Sequence, residues 1–215
     1  MRRRLLTLVA LLAPAVVHAQ GATATPVSAT KPAMPGRWQM HLDRATLPND
    51  YTFATSGAGF HATTGRAAGI VFDAGMTASG TYRLDATFTQ NKAPAHPEAY
   101  GVIFGGTGLD TDKADYGYFV VRGDGKYLIK HHAANGEIHT LVDWTPNAAV
   151  HAADAAGKAT NALRVEVTKD SIRFSANGGR VAALPRGLTT DGTVGLRVNH
   201  MLDVQIDGPK VTPTK

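Results

Sequence analysis

Apolar and polar residues alternate one by one along the second half of the chain. Leu163, Val165 and Val167, for example, are separated by Arg164 and Glu166. Successive side chains of a β-strand point to opposite faces of its sheet, so this spacing predicts strands with one buried and one solvated face. The segments that follow the pattern are 82–88, 163–167, 172–176, 194–198 and 202–206.

Two segments of the chain lack a polar face. Tyr100 to Phe104 and Tyr116 to Val121 are nearly continuous apolar runs. Runs of this length are typical of strands that are covered on both faces. The two segments therefore predict strands in the middle of a sheet.

Turn residues divide the chain into about a dozen such strands, which is more than one open sheet accommodates. Asn177-Gly178-Gly179 predicts a tight hairpin. Asn147 to Lys158 is rich in Ala but has no apolar stripe, which indicates turns or a loop rather than a helix. The pattern predicts an all-β fold of two packed antiparallel sheets. The predicted core residues are Leu163, Val165, Val167, Ile172, Phe174, Leu196, Val198, Val204 and Ile206.

The first residues of the chain have the pattern of a secretory signal. Arg2 to Arg4 precede the uncharged run Leu5 to Val17, and the small residues Val17 and Ala19 suit cleavage after Ala19. We expect residues 1–19 to be removed on export, an expectation that an intact mass retaining Met1 would contradict. Residues 20–35 are rich in Pro and small polar residues and predict a flexible lead-in to a single domain over 36–215.

Charge and cysteine content limit the possible binding partners and the cellular compartment of the protein. The 215 residues include 22 basic and 17 acidic side chains, but removal of residues 1–19 takes away three Arg and leaves a net charge of +2. A net charge this small does not indicate nucleic-acid binding. The chain has no Cys and no other long apolar run, so we expect a periplasmic or extracellular protein without a membrane span.

Six of the predicted strand segments resemble a known group of folds. They are Tyr100-Gly-Val-Ile-Phe-Gly-Gly106, Asp115-Tyr-Gly-Tyr-Phe-Val-Val121, Gly125-Lys-Tyr-Leu-Ile129, Asn161-Ala-Leu-Arg-Val-Glu-Val167, Ile172-Arg-Phe-Ser-Ala-Asn-Gly178 and Gly192-Thr-Val-Gly-Leu-Arg197. The series resembles the concanavalin A-like jelly rolls and is most similar to bacterial exported domains of the 3-keto-disaccharide hydrolase type. The resemblance implies a two-sheet antiparallel jelly-roll sandwich and an activity on keto-disaccharides or related glycans.

Ionisable residues are concentrated between Lys130 and His139. Asn135-Gly136 predicts a hairpin with two or four residues in its loop. Either length places His132, Glu137 and His139 on one face of the hairpin and His131 on the other. One hypothesis is a divalent metal site formed by the first three, and the alternative is a solvated face on which these groups pair as charges.

A second candidate for metal binding is the acidic segment around Asp110. Asp110, Asp112 and Asp115 resemble part of a calcium loop, although Ala114 occupies its fifth position. The alternative is a polar connection between strands. The sequence contains no phosphate loop, dinucleotide fingerprint or nucleophile elbow, and it predicts no cofactor.

Aromatic residues are the remaining lead to a binding site, because sugar rings stack on exposed aromatic side chains. The candidates are Trp38, Trp144, Tyr116 and Tyr118, with Asp143 beside Trp144 at the end of a predicted strand. Asn199-His200 adds polar groups in a connection between two strands. The alternative is that both Trp side chains fill the core and that Asn199-His200 is only a turn.

The sequence therefore predicts a secreted or periplasmic binding module, with carbohydrate or another envelope ligand as its partner. The alternatives are a glycan-processing hydrolase or lyase, including one acting on keto-disaccharides, and a structural envelope protein. A retaining glycosidase of this fold would have two acids spaced two apart on one strand, and none is evident. A groove with clustered carboxylates or imidazoles would favour the enzyme, and a groove with aromatic residues alone would favour binding. The oligomeric state is not predicted.

Overall fold

A computed structural model of the chain describes residues 33–44 and 50–215, and these form two seven-stranded sheets. The predicted signal segment 1–19 and most of the lead-in 20–35 lie outside the described residues. Within the described ranges, no helix is long and apolar enough to cross a membrane.

The first sheet, which we call the front sheet, has the strand order β1-β4-β13-β6-β7-β8-β9, and every neighbouring pair is antiparallel. Its strands are β1 (Trp38–Leu42), β4 (Gly69–Ala78), β6 (Ala99–Thr107), β7 (Asp115–Arg122), β8 (Lys126–His132), β9 (Ile138–Pro146) and β13 (Gly192–Val198).

The second, back sheet has the order β12-β11-β10-β5-β14-β3-β2 and is also antiparallel throughout. Its strands are β2 (Tyr51–Ser56), β3 (Gly59–Thr64), β5 (Tyr82–Gln90), β10 (Ala159–Val167), β11 (Ser171–Ala176), β12 (Gly179–Pro185) and β14 (Asp203–Pro213). Connections that range from the short segment 79–81 to the longer segment 147–158 carry the chain back and forth between the two sheets. The predicted all-β, two-sheet antiparallel jelly-roll sandwich is confirmed.

The main core lies between the sheets. It includes the inward residues of every strand in which apolar and polar residues alternate. All nine core residues predicted from the alternation are at most 1% exposed. Phe174 of the back sheet packs against Phe104 and Phe119 of the front sheet, with ring centroids 6.0 and 5.4 Å away. These aromatic contacts join the two sheets.

Local turn predictions also agree with the structure. Asn177 and Gly178 have φ angles of 50° and 82°, and they connect Ala176 to its antiparallel partner Gly179 as a two-residue hairpin. Residues 147–158 form turns and loop rather than a helix. The Asp154 carboxylate accepts hydrogen bonds from the backbone N–H groups of Ala156 and Lys158 there.

A second apolar cluster lies on the outer face of the front sheet. β6 and β7 are buried on both faces, as their continuous apolar runs predict. Leu109 and Ala114, from the β6–β7 connection, belong to this outer cluster. Its members are Ile70, Phe72, Ala99, Ile103, Leu109, Ala114, Tyr116, Tyr118, Val120 and Leu128.

Replacement of Phe174 by Ala tests the packing between the sheets. We expect a loss of about 3–5 kcal/mol of unfolding free energy, because the substitution removes a buried ring and leaves a cavity. Chemical denaturation measures the loss. Arg173→Ala, at the exposed neighbouring position, should cost less than about 1 kcal/mol. Equal losses in the two variants would contradict the assigned alternation.

Candidate functional site

A cavity of about 340 Å³ opens on the outer face of the front sheet. We call it the trough. Its lining combines hydroxyl, imidazole, guanidinium and carboxylate groups with apolar surface. The lining residues are His41, Asp43, Arg44, Ala114, Tyr116, Tyr118, His132, Gly136, Ile138 and Arg197.

Strand register explains why these side chains meet. Tyr116 pairs with His132, which pairs in turn with Ile138, so one row of outward side chains crosses β7, β8 and β9. Paired residues of antiparallel strands point to the same face, about 5 Å apart. Tyr118 lies on the same face two residues further along β7, beside its partner Lys130.

The floor of the trough contains an ion pair between a buried arginine of β13 and a partly exposed aspartate at the end of β1. The Nη1 and Nη2 atoms of Arg197 donate to the two carboxylate oxygens of Asp43 over 3.0 and 2.5 Å. Nη1 also donates to the Tyr116 hydroxyl at 3.4 Å, and the guanidinium lies 5.0 Å from the centre of the Tyr118 ring. Arg197 is only 9% exposed, so this set of contacts replaces most of its hydration.

Arg197 is paired with a glycine on the neighbouring strand. Gly101 of β6 is its direct neighbour on the outer face. A Cβ atom at Gly101 would clash with the Phe119 carbonyl oxygen, so no larger residue fits the backbone there. The Arg197 chain therefore extends over a position that has no side chain of its own.

The ion pair and the burial of the tyrosines determine the charges in the trough. Burial opposes ionisation of Asp43, but the Arg197 guanidinium outweighs it and lowers the pKa of Asp43. Burial raises the pKa of Tyr116 to about 12 and also raises that of Tyr118. At neutral pH Asp43 is ionised, and both phenols keep their protons as hydrogen-bond donors.

Two histidines fasten the β6–β7 connection to the trough. His41 Nδ1 lies 2.9 Å from the Leu109 carbonyl oxygen, and His132 Nδ1 lies 2.9 Å from that of Ala114. A carbonyl only accepts, so each Nδ1 carries the hydrogen. A neutral imidazole held in this way keeps Nε2 as an acceptor. The His132 ring is also stacked on Tyr116, with centroids 5.1 Å apart.

The predicted shared face of His132, Glu137 and His139 is wrong. The Ala133 N–H donates to the Glu137 carbonyl, so the hairpin loop has three residues, Ala134 to Gly136, instead of two or four. An odd loop shifts the register by one residue and pairs His131 with His139, while His132 pairs with Ile138. His132 therefore faces the trough and His139 faces the opposite side.

The groups of the metal hypothesis consequently form separate contacts. His131 and His139 stack with ring centroids 5.7 Å apart, and His139 Nε2 lies 3.7 Å from the Glu137 carboxylate. Among the residues that the structure describes, no three His, Asp or Glu side chains are grouped to hold a metal ion. The alternative of paired charges describes Glu137 and His139.

The three carboxylates of the acidic segment at Asp110 do not lie together. Asp110 and Asp112 are exposed in the β6–β7 connection, whereas Asp115 accepts a hydrogen bond from His131 Nε2 at 2.9 Å. Alternation along β7 points Asp115 away from the face that Tyr116 occupies. The three carboxylates do not form a calcium loop in the described part of the chain, and the segment is a polar connection.

The two tryptophans differ in their surroundings. Trp38 packs against Phe53 and Phe60 at the margin of the main core, with ring centroids 5.2 and 4.8 Å away. Trp144 packs against the outer cluster, and the Arg122 guanidinium covers its ring at 4.1 Å. Asp143 is exposed and its Oδ1 accepts the Trp144 backbone N–H. Neither Trp144 nor Asp143 lines the trough.

Asn199 and His200 lie in the β13–β14 turn, away from the trough lining. The Asn199 N–H donates to the Ala99 carbonyl. His200 Nδ1 and His96 Nδ1 lie 3.4 and 3.0 Å from the two carboxylate oxygens of Glu98. The predicted site residues thus lie in separate regions, and three of them, Tyr116, Tyr118 and His132, line the trough.

Four polar trough residues were not predicted as site residues: His41, Asp43, Arg44 and Arg197. The alternation places Arg197 between the inward residues Leu196 and Val198, which predicts only that it points outward. Asp43 is 154 residues away in sequence. The sequence did contain one sign that an outward Arg would be buried. The apolar runs at 100–104 and 116–121 indicate that the outer face of this sheet is covered.

A smaller cavity of about 180 Å³ lies against the back sheet, where Asp85 and Arg164 form an exposed ion pair. Its lining contains no aromatic ring or imidazole. The trough therefore has the richer chemistry.

Asp43→Asn tests the ion pair. We expect a loss of about 2 kcal/mol at neutral pH, less than the 3–5 kcal/mol of a fully buried pair, because the Asp43 side chain is 39% exposed. Folding lowers the pKa of Asp43 below the ordinary 3.8, so its stabilisation is present above that value and is lost as the pH falls through the folded-state pKa. Denaturation curves between pH 7 and 3 should show the difference from wild type shrinking below about pH 4.

Asp112→Asn is the matched control, because Asp112 is exposed and outside the trough. It should differ little from wild type at any pH. A loss in Asp43→Asn that stays constant down to pH 3 would contradict the role of the ionised carboxylate.

Comparisons with known proteins support the fold. No protein-family model matches the chain, and no curated protein matches it. Among solved structures, it is similar to the carbohydrate-binding module CBM66 from Bacillus subtilis, with a TM-score of 0.61 and 12% identity, over 83% of this chain and 98% of that one. It is also similar to a double-cysteine variant of alginate lyase A1-II′, with a TM-score of 0.53 and 8% identity, over 83% of this chain and 95% of that one.

A third similar structure is a Bacillus subtilis protein of unknown function with a galectin-like fold. Its TM-score is 0.52 at 11% identity, over 82% of this chain and 89% of that one. At these identities the comparisons establish the fold alone. The chain has a concanavalin A-like jelly-roll fold, and its narrower resemblance to 3-keto-disaccharide hydrolases stays a prediction.

Proposed function

We propose that the protein binds carbohydrate in the trough. One observation carries the proposal: tyrosine hydroxyls, imidazoles and the Arg197–Asp43 ion pair converge on one cavity of about 340 Å³. A cavity with a few oriented polar groups among apolar side chains is the usual form of a small-ligand site.

The trough offers both surfaces that a sugar requires. The apolar face of a sugar ring fits against Ile138, which is 55% exposed, and against the neighbouring His132 ring. Sugar hydroxyls then meet donors from Tyr116 and Tyr118 and acceptors from Asp43 and the imidazole Nε2 atoms. These groups are held by the ion pair and by backbone carbonyls, so little ordering accompanies binding.

The solved structures are compatible with this proposal, because one of similar fold is described as a carbohydrate-binding module. Export, inferred from residues 1–19, would place the protein where envelope and environmental glycans occur. A structural envelope protein without a small ligand would not require a cavity lined in this way.

A glycan-processing enzyme is the second candidate, and the two imidazoles favour it. His132 and His41 each present an Nε2 that can accept a proton from a substrate. Hydrolysis by two carboxylic acids is not supported, because Asp43 is the only carboxylate among the trough residues that the structure describes. An elimination or hydrolysis that uses an imidazole base fits the lining better.

Binding to a glycan array, followed by calorimetry on the strongest ligand, tests the proposal. Tyr118→Phe removes one hydroxyl and should weaken binding by about 1 kcal/mol, while His132→Ala should weaken it by about 1–2 kcal/mol. His96→Ala is the matched control, because that histidine pairs with Glu98 outside the trough. It should bind as wild type does.

Thermal melts of all three variants establish that they are folded. Binding that is unchanged in Tyr118→Phe and His132→Ala would contradict the proposed site, and the absence of any bound glycan would contradict the function. Incubation of the ligand with wild type and His132→Ala, with products separated by chromatography, decides between binding and cleavage.

A further inference from the structure

We infer that the trough selects acidic glycans, which carry a carboxylate or an ester sulfate. The inference rests on the proposed function and concerns the class of sugar that the site accepts. It comes from the balance of charges around the trough.

Inside the trough, the charges of Arg197 and Asp43 cancel. Arg197 donates to both carboxylate oxygens of Asp43, which is ionised because the guanidinium lowers its pKa. The pair therefore supplies polar contacts and little net charge. Tyr116 and Tyr118 remain neutral donors because burial raises their pKa values.

Two other cations on this face of the front sheet have no such counter-charge. Arg44 is exposed in the trough lining. Lys130 pairs with Tyr118 across β7 and β8, so it lies on the same outer face of the front sheet. Neither forms an ion pair within the part of the chain that the structure describes. Residues 1–32 and 45–49, outside that part, contain no Asp or Glu, so they supply no counter-charge.

The nearest acidic side chains are directed elsewhere. Asp115 faces away from the trough and accepts a hydrogen bond from His131, and Glu137 lies beside His139. Asp110 and Asp112 are exposed on the β6–β7 connection with Lys113 beside them, and neither lines the trough. The trough and its rim thus carry an excess of positive charge.

An anionic group on a sugar would complete this arrangement. The guanidinium of Arg44 presents a planar fork of donors that matches the oxygens of a carboxylate or sulfate. Lys130 adds a mobile point charge, and the tyrosine hydroxyls can donate to the same oxygens.

Calorimetry with paired probes tests the inference. The first probe is a galacturonate tetramer, the second is the same tetramer with its carboxylates methyl-esterified, and the third is a sulfated galactose tetramer of equal length. We expect the two anionic probes to bind at least about tenfold more tightly than the ester in low salt. Their affinity should fall several-fold between about 50 and 500 mM NaCl, while that of the ester stays nearly constant.

Two substitutions, Arg44→Gln and Lys130→Gln, test which residues produce the preference for anionic sugars. Arg44→Gln should reduce the ratio of anionic-probe affinity to ester affinity by about tenfold. Lys130→Gln should produce a smaller loss in the same direction. Arg180→Gln is the matched control, because Arg180 is exposed on β12 of the back sheet, and it should have no effect.

The outcomes separate this inference from the proposed function. Equal affinity for the ester and the tetra-acid, with both lost in His132→Ala, would overturn the acidic preference and leave sugar binding in the trough intact. An acidic preference that survives Arg44→Gln and Lys130→Gln would overturn its assignment to these residues. If no probe binds and no neutral glycan binds, both proposals fail.

Discussion

A guanidinium buried on the outer face of a β-sheet is the constraint on which the trough depends. Arg197 must replace the water that burial removes, because an unpaired buried charge costs several kcal/mol. Asp43, which follows β1, supplies both carboxylate oxygens to the guanidinium. The ion pair thus fastens the end of β1 over the centre of the front sheet and shapes the cavity beside it.

The front sheet has two apolar faces with different uses. Its inner face joins the main core through residues such as Phe119, and its outer face carries a second cluster that includes Tyr116 and Tyr118. The β6–β7 connection packs onto this outer face and is held by His41 and His132. The same histidines therefore stabilise the wall of the trough and present their remaining nitrogen atoms to a ligand.

Prediction from sequence succeeded where a local pattern determines the outcome. Period-two alternation identifies the buried face of β10 and β11, and Asn177-Gly178 identifies the hairpin between β11 and β12. Both features depend only on residues that are adjacent in sequence.

Prediction failed at the β8–β9 hairpin, where Asn135-Gly136 is compatible with loops of two, three or four residues. One residue of difference in the loop places Ile138, instead of the predicted His139, beside His132 at the trough. The Arg197–Asp43 pair was outside the reach of such patterns for another reason: its partners are far apart in sequence, and their contact requires β1, β4 and β13 to be neighbours in the sheet. The functional site is therefore a product of strand order, whereas the core is largely a product of strand pattern.

Mapping a bound acidic sugar by NMR tests the central claim most directly. In a titration of isotope-labelled protein with the galacturonate tetramer, backbone and ring signals of Tyr116, Tyr118, His132 and Ile138 should shift together and saturate at one affinity. Signals of the back sheet, such as those of Arg180 and Arg164, should stay unchanged. Shifts confined to the back sheet or to the β13–β14 turn, with the trough signals unaffected, would contradict the claim that the outer face of the front sheet is the binding site.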